Sequence, residues 1–398
     1  MRTTATPRDV VFDATMVPRL WSTTQVHRSR VFQELDAPSI VASVLEEHGL
    51  PFELSLDGTY PVSEYTVQYQ ETDFDFINRL MEHQGIFYFW KQLDDGESIT
   101  ICDSNRAFGR FSDDALAYAR NDLPANSQPE VHELERELRR RPAHVVLRDY
   151  NWRTPRVKLD AEAPADVVCG VGFHNEYGGH WKTPGDGARL AQIRAEEILV
   201  DRERYVMKTS LATLSAGHRF ALSGHPYGEM DVDYIVTEVR HVLRSGSAAD
   251  DDEGFQVVNA IPFGSAYRPP RRTPRPKILG LMHGHVDGEV PGTAAPVDEL
   301  GRYRVLLPFD RVGESGGKAT RWIRLAQAAS GAGFGIHFPL HTGVEVAISH
   351  VDGDPDRPVI VASPPNTETL TPVNSANPTQ SKIRTQTGIR ITFDDDVI

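Results

Sequence analysis

Between Leu279 and Asn366 the chain carries five short runs that alternate apolar and polar residues, separated by clusters of Gly, Pro and Asp. They begin at Leu279-Gly-Leu-Met-His-Gly-His-Val, Leu300-Gly-Arg-Tyr-Arg-Val, Arg321-Trp-Ile-Arg-Leu-Ala-Gln, Gly331-Ala-Gly-Phe-Gly-Ile-His-Phe-Pro-Leu and Gly343-Val-Glu-Val, the last continuing to Arg357-Pro-Val-Ile-Val. Alternation with a period of two turns one side of a strand to a core and the other to water. The intervening Gly, Pro and Asp supply the turns. A small antiparallel barrel satisfies that pattern.

Five strands in about ninety residues fit an oligonucleotide/oligosaccharide-binding (OB) barrel. The runs also resemble the OB domain of the VgrG family, the spike proteins of bacterial type VI secretion, and the related spikes of contractile-phage baseplates. The resemblance is carried, in order, by Asp298-Glu-Leu-Gly-Arg-Tyr-Arg-Val, Trp322-Ile-Arg, His337-Phe-Pro-Leu, Gly343-Val-Glu-Val and Gly353-Asp-Pro-Asp-Arg-Pro-Val-Ile.

Upstream, Val10 to Arg19 is expected as one strand. Asp36 is placed to cap a helix that Gly49 stops, with Ile40, Val41, Val44 and Leu45 on its apolar face. Tyr65-Thr-Val-Gln-Tyr-Gln alternates as a strand. Thr72 with Asp75 forms a box-like cap for a second helix ended by Gly85, and the strand Ile86-Phe-Tyr-Phe-Trp follows. This strand–helix–strand block from Val67 resembles the hub-domain signature of the same family. Residues 121–142 form a polar connector, whose run Glu133-Leu-Glu-Arg-Glu-Leu-Arg-Arg-Arg mixes both signs as a solvated face. A strand is expected from Ala143 to Asn151, then a long polar loop to Gly185 and a helix from Ala188 to Arg204. Four alternating strands follow near Val206–Leu211, Arg219–Ser223, Tyr234–His241 and Phe255–Ile261. Residues 245–254 form the polar tip of a hairpin.

The run Tyr267-Arg-Pro-Pro-Arg-Arg-Thr-Pro-Arg-Pro-Lys is held extended by its prolines and serves as a semi-rigid linker. Its basic residues are expected to lie on an acidic neighbouring surface, because the 398-residue chain has a formal charge of −14. That acidity also argues against nucleic-acid binding, which begins with Lys/Arg patches. The N-terminus lacks the apolar core of a signal peptide, and no run of about 18 apolar residues offers a membrane span. Cys102 and Cys169 give no metal or disulfide framework and are expected to pack as small apolar residues.

Asp352-Gly-Asp-Pro-Asp begins like a calcium loop, but Arg357 and Ser363 stand where that loop needs Gly and Glu, so a tight turn is expected. His283 and His285 share one face of a strand; three copies about a threefold axis could offer six nitrogens to a metal, while satisfied surface or interface histidines are the default. Gly331-Ala-Gly-Phe-Gly lacks the Lys-Ser/Thr end of a phosphate loop. The pairs Glu46-Glu47 and Glu196-Glu197 occupy adjacent helical positions, which diverge and cannot flank one bond. No catalytic, cofactor or metal residue is assigned, and no enzyme activity or cofactor is expected.

The fold class is mainly β with a few helices (α+β): hub-type β-barrels, an OB barrel and the start of a β-prism. The expected divisions are a partial hub region with the end of a first barrel (1–142), a second hub barrel (143–266), the linker (267–278), the OB barrel (279–366) and a shortened prism (367–398). The resemblance implies a homotrimeric spike below a sixfold tube protein, capped by a tip protein and carrying effectors. It further implies assembly in the cytoplasm, translocation without a cleaved signal, and mechanical piercing of a target membrane. It leads to the expectation that most of the first barrel and of the prism are absent. Alternatives are a phage-tail spike with or without a cell-wall hydrolase, and an OB-type nucleic-acid binder.

Overall fold

The computed structural model describes residues 2–5, 10–13, 15–118, 131–243, 254–311 and 313–395. Residues 121–130 of the connector expected at 121–142, and all but the last residue of the hairpin tip expected at 245–254, lie outside them. The described chain forms two compact units. The first comprises Met1–His27, Asp36–Val62 and Thr72–Pro274. The second comprises Arg28–Leu35, Ser63–Glu71 and Arg275–Ile398.

In the first unit, α1 (Ala37–Glu47) begins at Asp36, whose side chain accepts from the Ser39 N–H. α2 (Asp73–Gln84) begins at Thr72, whose hydroxyl accepts from the Asp75 N–H, and ends at Gly85 with φ +73°. Both starts satisfy backbone donors that the first helical turn leaves without partners. Gly85 also makes a close approach, since a Cβ there would lie 2.7 Å from Ile193 Cγ2. α3 (Pro184–Val200) is set by a reciprocal capping box between Thr183 and Asp186.

Four expectations in this unit are corrected. The connector expected at 121–142 holds the strand Val131–Leu138, which pairs with Glu203–Thr209 while most of its side chains stay in water. The stretch Val10 to Arg19 is not one strand: Val10–Asp13 pairs with Arg2–Ala5, and Arg19–Gln25 is a 3-10 helix. Pro18 interrupts the extended run, and its carbonyl accepts the Trp21 N–H that starts the turn. The expected polar loop before Gly185 contains the strands Leu159–Pro164 and Phe173–Tyr177. The buried positions of the first are Leu159, Ala161 and Ala163, so two of its three inward residues carry little hydrophobic signal. Finally, α3 starts before Ala188 and yields at Glu203 to the strand Glu203–Thr209.

These strands join His144–Asp149 in a three-stranded sheet, with α3 packed on one face through Val145, Leu147, Trp181 and Leu190. A seven-stranded sheet runs Val131–Leu138, Glu203–Thr209, Gly254–Pro262, Asp233–Leu243, His218–Ser223 and Gly109–Arg110, with Leu116–Ala117 also on His218–Ser223. Met207, Phe220, Tyr234 and Val258 lie in its core. A third sheet orders Phe52–Ser55, Gly96–Cys102 and Phe87–Leu93.

The second unit is built on a five-stranded sheet in the order Val305–Leu306, Met282–Val286, Glu345–His350, Pro358–Ala362 and Arg324–Leu325. The run Gly331–Leu340 is not one of the five. It makes a two-stranded hairpin, Ser330–Gly331 with Phe334–Gly335, while the last run supplies two strands. Gly333 and Gly335 take φ +79° and +147°, turning the chain where a sheet strand would continue. Tyr303, Val305, Ile348 and Ile360 form the core, and Tyr65 and Val67 are buried among them. The segments 28–35 and 63–71 thus belong to the same compact unit as the barrel, and are joined by the bridge Leu35–Ser63 and an Arg30 Nε–H donating to Gln68 Oε1 at 2.9 Å.

Candidate assembly surfaces

The strands Gln380–Arg384 and Arg390–Asp394 form a two-stranded sheet of their own. Their register sets Ile383 opposite Ile391 and Ser381 opposite Phe393, while Lys382 faces Thr392 and Arg384 faces Arg390. Paired residues share a face, so one side is apolar and the other polar. The apolar side is open: Ile383, Ile391 and Phe393 are 47, 54 and 66% exposed. An isolated hairpin is marginal in water, and an exposed apolar face of this kind marks a surface that associates. Thr379 Oγ1–H and Gln380 Nε2–H donate to the two oxygens of Asp394, tying the hairpin base.

The barrel's short hairpin repeats the theme. Phe334, Ile336 and Phe338 are exposed at alternate positions, whereas His337 between them lies 3.2 Å from the hydroxyl of the buried Tyr303. The Tyr303 hydroxyl also accepts the Leu340 N–H at 3.1 Å. The imidazole touches the barrel through Tyr303 while staying exposed, and the three apolar side chains face water. In the first unit, Phe173 and Tyr177 are exposed on the face of the three-stranded sheet opposite α3, beside a cavity of about 310 Å³ with Val146, Arg148 and Asn175.

The basic linker lies on carboxylates. Arg268 donates to Glu196 at 2.6 Å, and Arg271 pairs with Glu176 and Glu197. Glu82 accepts the Arg272 and Thr273 N–H groups and the Thr273 hydroxyl. Burial opposes ionisation of Glu176, but hydrogen bonds from Arg271 and the adjacent charges hold its pKa at about 2. The acids of Glu196-Glu197 are therefore committed to the linker and to Arg194. Beyond the linker, Arg275 lies 2.9 Å from Asp354 and 3.1 Å from Asp356. The Asp352-Gly-Asp-Pro-Asp stretch is a tight turn whose second and third carboxylates are buried ion-pair partners, with Asp352 at φ +57°.

His283 and His285 are both exposed, and His283 Nδ1 lies 2.6 Å from Glu345 Oε1. The intervening Gly284 faces the core, where a Cβ would come within 2.6 Å of Val305. Cys102 is buried, which pushes its thiol up to about 12, and Cys169 is exposed; both are free. The expectation that both cysteines pack as small apolar residues therefore fails at Cys169, whose Sγ lies against Asp166 at the surface. Among the described residues no helix is long and apolar enough to cross a membrane. Sequence pattern missed the roles of Glu345, Asp356 and Asp287. Asp287 accepts three backbone N–H groups, from Gly316, Gly317 and Ala319, and no local motif announces that task.

Residues 1–247 match the phage tail baseplate hub (GPD) family, and residues 290–363 match the type VI secretion system/phage-baseplate injector OB domain. This chain belongs to the phage tail baseplate hub (GPD) family. Its VgrG relatives include the type VI secretion system spike protein VgrG4b of Pseudomonas aeruginosa, 30% identical over 87% of this chain and 45% of the relative. VgrG1a of the same organism is 29% identical over 94% of this chain and 60% of its own length. The chain thus spans about half the length of the curated VgrG proteins it matches. In fold, it is similar to the E. coli c3393 protein, a type VI secretion component described as similar to T4 tail proteins gp27 and gp5. The TM-score is 0.60 at 24% identity, covering 87% of this chain and 76% of the other.

Proposed function

We propose that this chain is a structural subunit of the spike of a contractile injection machine, a homotrimer that acts by mechanical thrust and not by catalysis. The observation that carries this reading is the open apolar face of Ile383, Ile391 and Phe393 on a two-stranded hairpin, in a chain of the baseplate hub family whose relatives include VgrG spike proteins. Three such faces meeting about an axis would bury what one copy leaves exposed. In this reading 143–266 is a hub barrel and 279–366 the OB barrel, with residues 1–142, apart from 28–35 and 63–71, completing the hub region and 367–398 beginning a trimeric prism. Hub barrels from three chains would dock beneath a sixfold tube protein, and the narrow end would carry a tip-capping protein or effectors. The subunit would be assembled in the cytoplasm, leave without a cleaved signal, and pierce the target membrane. A phage tail baseplate is the other setting for the same mechanics, favoured by the hub-family match.

Light scattering on the purified chain tests the assembly. A mass three times the 44.4 kDa of one chain supports the reading. A monomer at all accessible concentrations removes the claim that this hairpin drives association.

A further inference from the structure

On the outer face of the barrel, the strand Met282–Val286 runs antiparallel to Glu345–His350, with His285 directly opposite Glu345 and His283 opposite Ala347. Paired and alternate residues share a face, so His283, His285 and Glu345 project from the same side. Directly opposite residues stand about 5 Å apart and alternate ones about 7 Å, within reach of side chains closing on one centre. His283 Nδ1 already lies 2.6 Å from Glu345 Oε1. The other Glu345 oxygen accepts from Asn366 Nδ2 at 2.9 Å, which fixes the carboxylate's orientation. The cross-strand neighbours Ala347 and Leu306 bring no competing cation. Packing demands the glycine between the two histidines, but places no such demand on the histidines.

We propose that His283, His285 and Glu345 of a single chain form a site for a divalent transition-metal ion of the zinc type. Two imidazoles and a carboxylate are a donor set that zinc accepts, with a fourth position left to solvent. Asn366 takes the part of the outer partner that steadies a ligating carboxylate. The three donor atoms do not all lie within 4.8 Å of one another in the chain as it stands. His285 is exposed, so rotation about its side-chain torsions brings it to the His283–Glu345 pair without moving the backbone. The site is distinct from one formed by three chains about an axis, because Glu345 supplies the third ligand from the same chain.

The test is calorimetric titration of the chelator-treated full chain with ZnCl2, alongside His285→Ala, Glu345→Gln and, as a control, His132→Ala at another exposed histidine. The expected result is one Zn2+ per chain, at least about tenfold weaker in His285→Ala and in Glu345→Gln, and unchanged in His132→Ala. Circular dichroism establishes that each variant is folded. No saturable binding to the wild-type chain overturns the proposal, as does binding that both site variants leave unaltered. One Zn2+ per three chains overturns it in favour of an axial site. None of these outcomes depends on whether the hairpin drives trimerisation.

Discussion

The carboxylate of Asp356 accepts the backbone N–H of Val67 at 2.6 Å, joining residues 289 positions apart in the chain. Its other oxygen faces Arg275, and its own carbonyl accepts from Arg321 Nη2 at 2.8 Å. The Arg321 guanidinium lies over the Tyr65 ring, 5.1 Å from its centroid. One acidic turn thus holds the segment 63–71 in the core of the second unit.

Asp356→Ala tests that role. The residue is 4% exposed, and its loss would leave the Val67 N–H buried without this acceptor. Hydrogen bonds to charged groups contribute about 1.5–3 kcal/mol, and an abandoned buried donor adds to the loss. The expected destabilisation is about 2–4 kcal/mol, read as a lower urea midpoint. An unchanged midpoint would mean that residues 63–71 are held by their apolar contacts alone.

His350 gives the barrel a dependence on pH. Burial pushes its pKa from 6.5 down to about 4, against the partly opposing charge of Asp354. A folded pKa below the unfolded one means that the unfolded chain takes up the proton first. Stability is therefore full above pH 6.5 and declines as pH falls toward 4, by up to about 3 kcal/mol. His350→Leu should flatten the stability profile between those pH values. A profile parallel to wild type would show that another group governs it.

Gly85 and Gly49 separate backbone strain from steric conflict. Both have positive φ, but a Cβ at Gly49 meets nothing within 4 Å, whereas one at Gly85 meets Ile193 at 2.7 Å. Gly49→Ala should cost about 1 kcal/mol from the left-handed backbone alone. Gly85→Ala should cost about 1–3 kcal/mol more from overpacking. Equal losses in thermal unfolding would show that α3 gives way freely at Ile193.

Replacing Ile391 and Phe393 with Asp should convert a trimer to monomers while leaving each chain folded. Both side chains are exposed in one chain, so their exchange removes no contact from that chain's core. Sedimentation velocity with circular dichroism reads both quantities. A trimer that survives the double substitution would place the association elsewhere, with Phe334, Ile336 and Phe338 next to be tested.

The elements most legible in the sequence were those with local causes. Asp36, Thr72 and Gly85 act on backbone groups within a few residues, and the alternation in Met282–Val286 and Glu345–His350 is strong. The strand Leu159–Pro164 was obscured because alanines fill most of its inward positions. Gly331–Leu340 misled in the opposite sense, offering strand-like alternation that its glycines break. The assignments of Asp287, Glu345 and Asp356 were out of reach, since each depends on which distant segment lies beside it. Residues 63–71 offer the same lesson: their alternation announced a strand but not the core it enters.

The chain leaves one unit for the other after His27, Leu35, Val62, Glu71 and Pro274, so five separate peptide connections bind them. A domain pair tied by a single tether can be parted by one cut, and tension passes through that tether alone. Here a protease that severs the proline-rich stretch leaves four covalent crossings intact. Under the mechanical role proposed above, such stitching would share the load among several backbone connections.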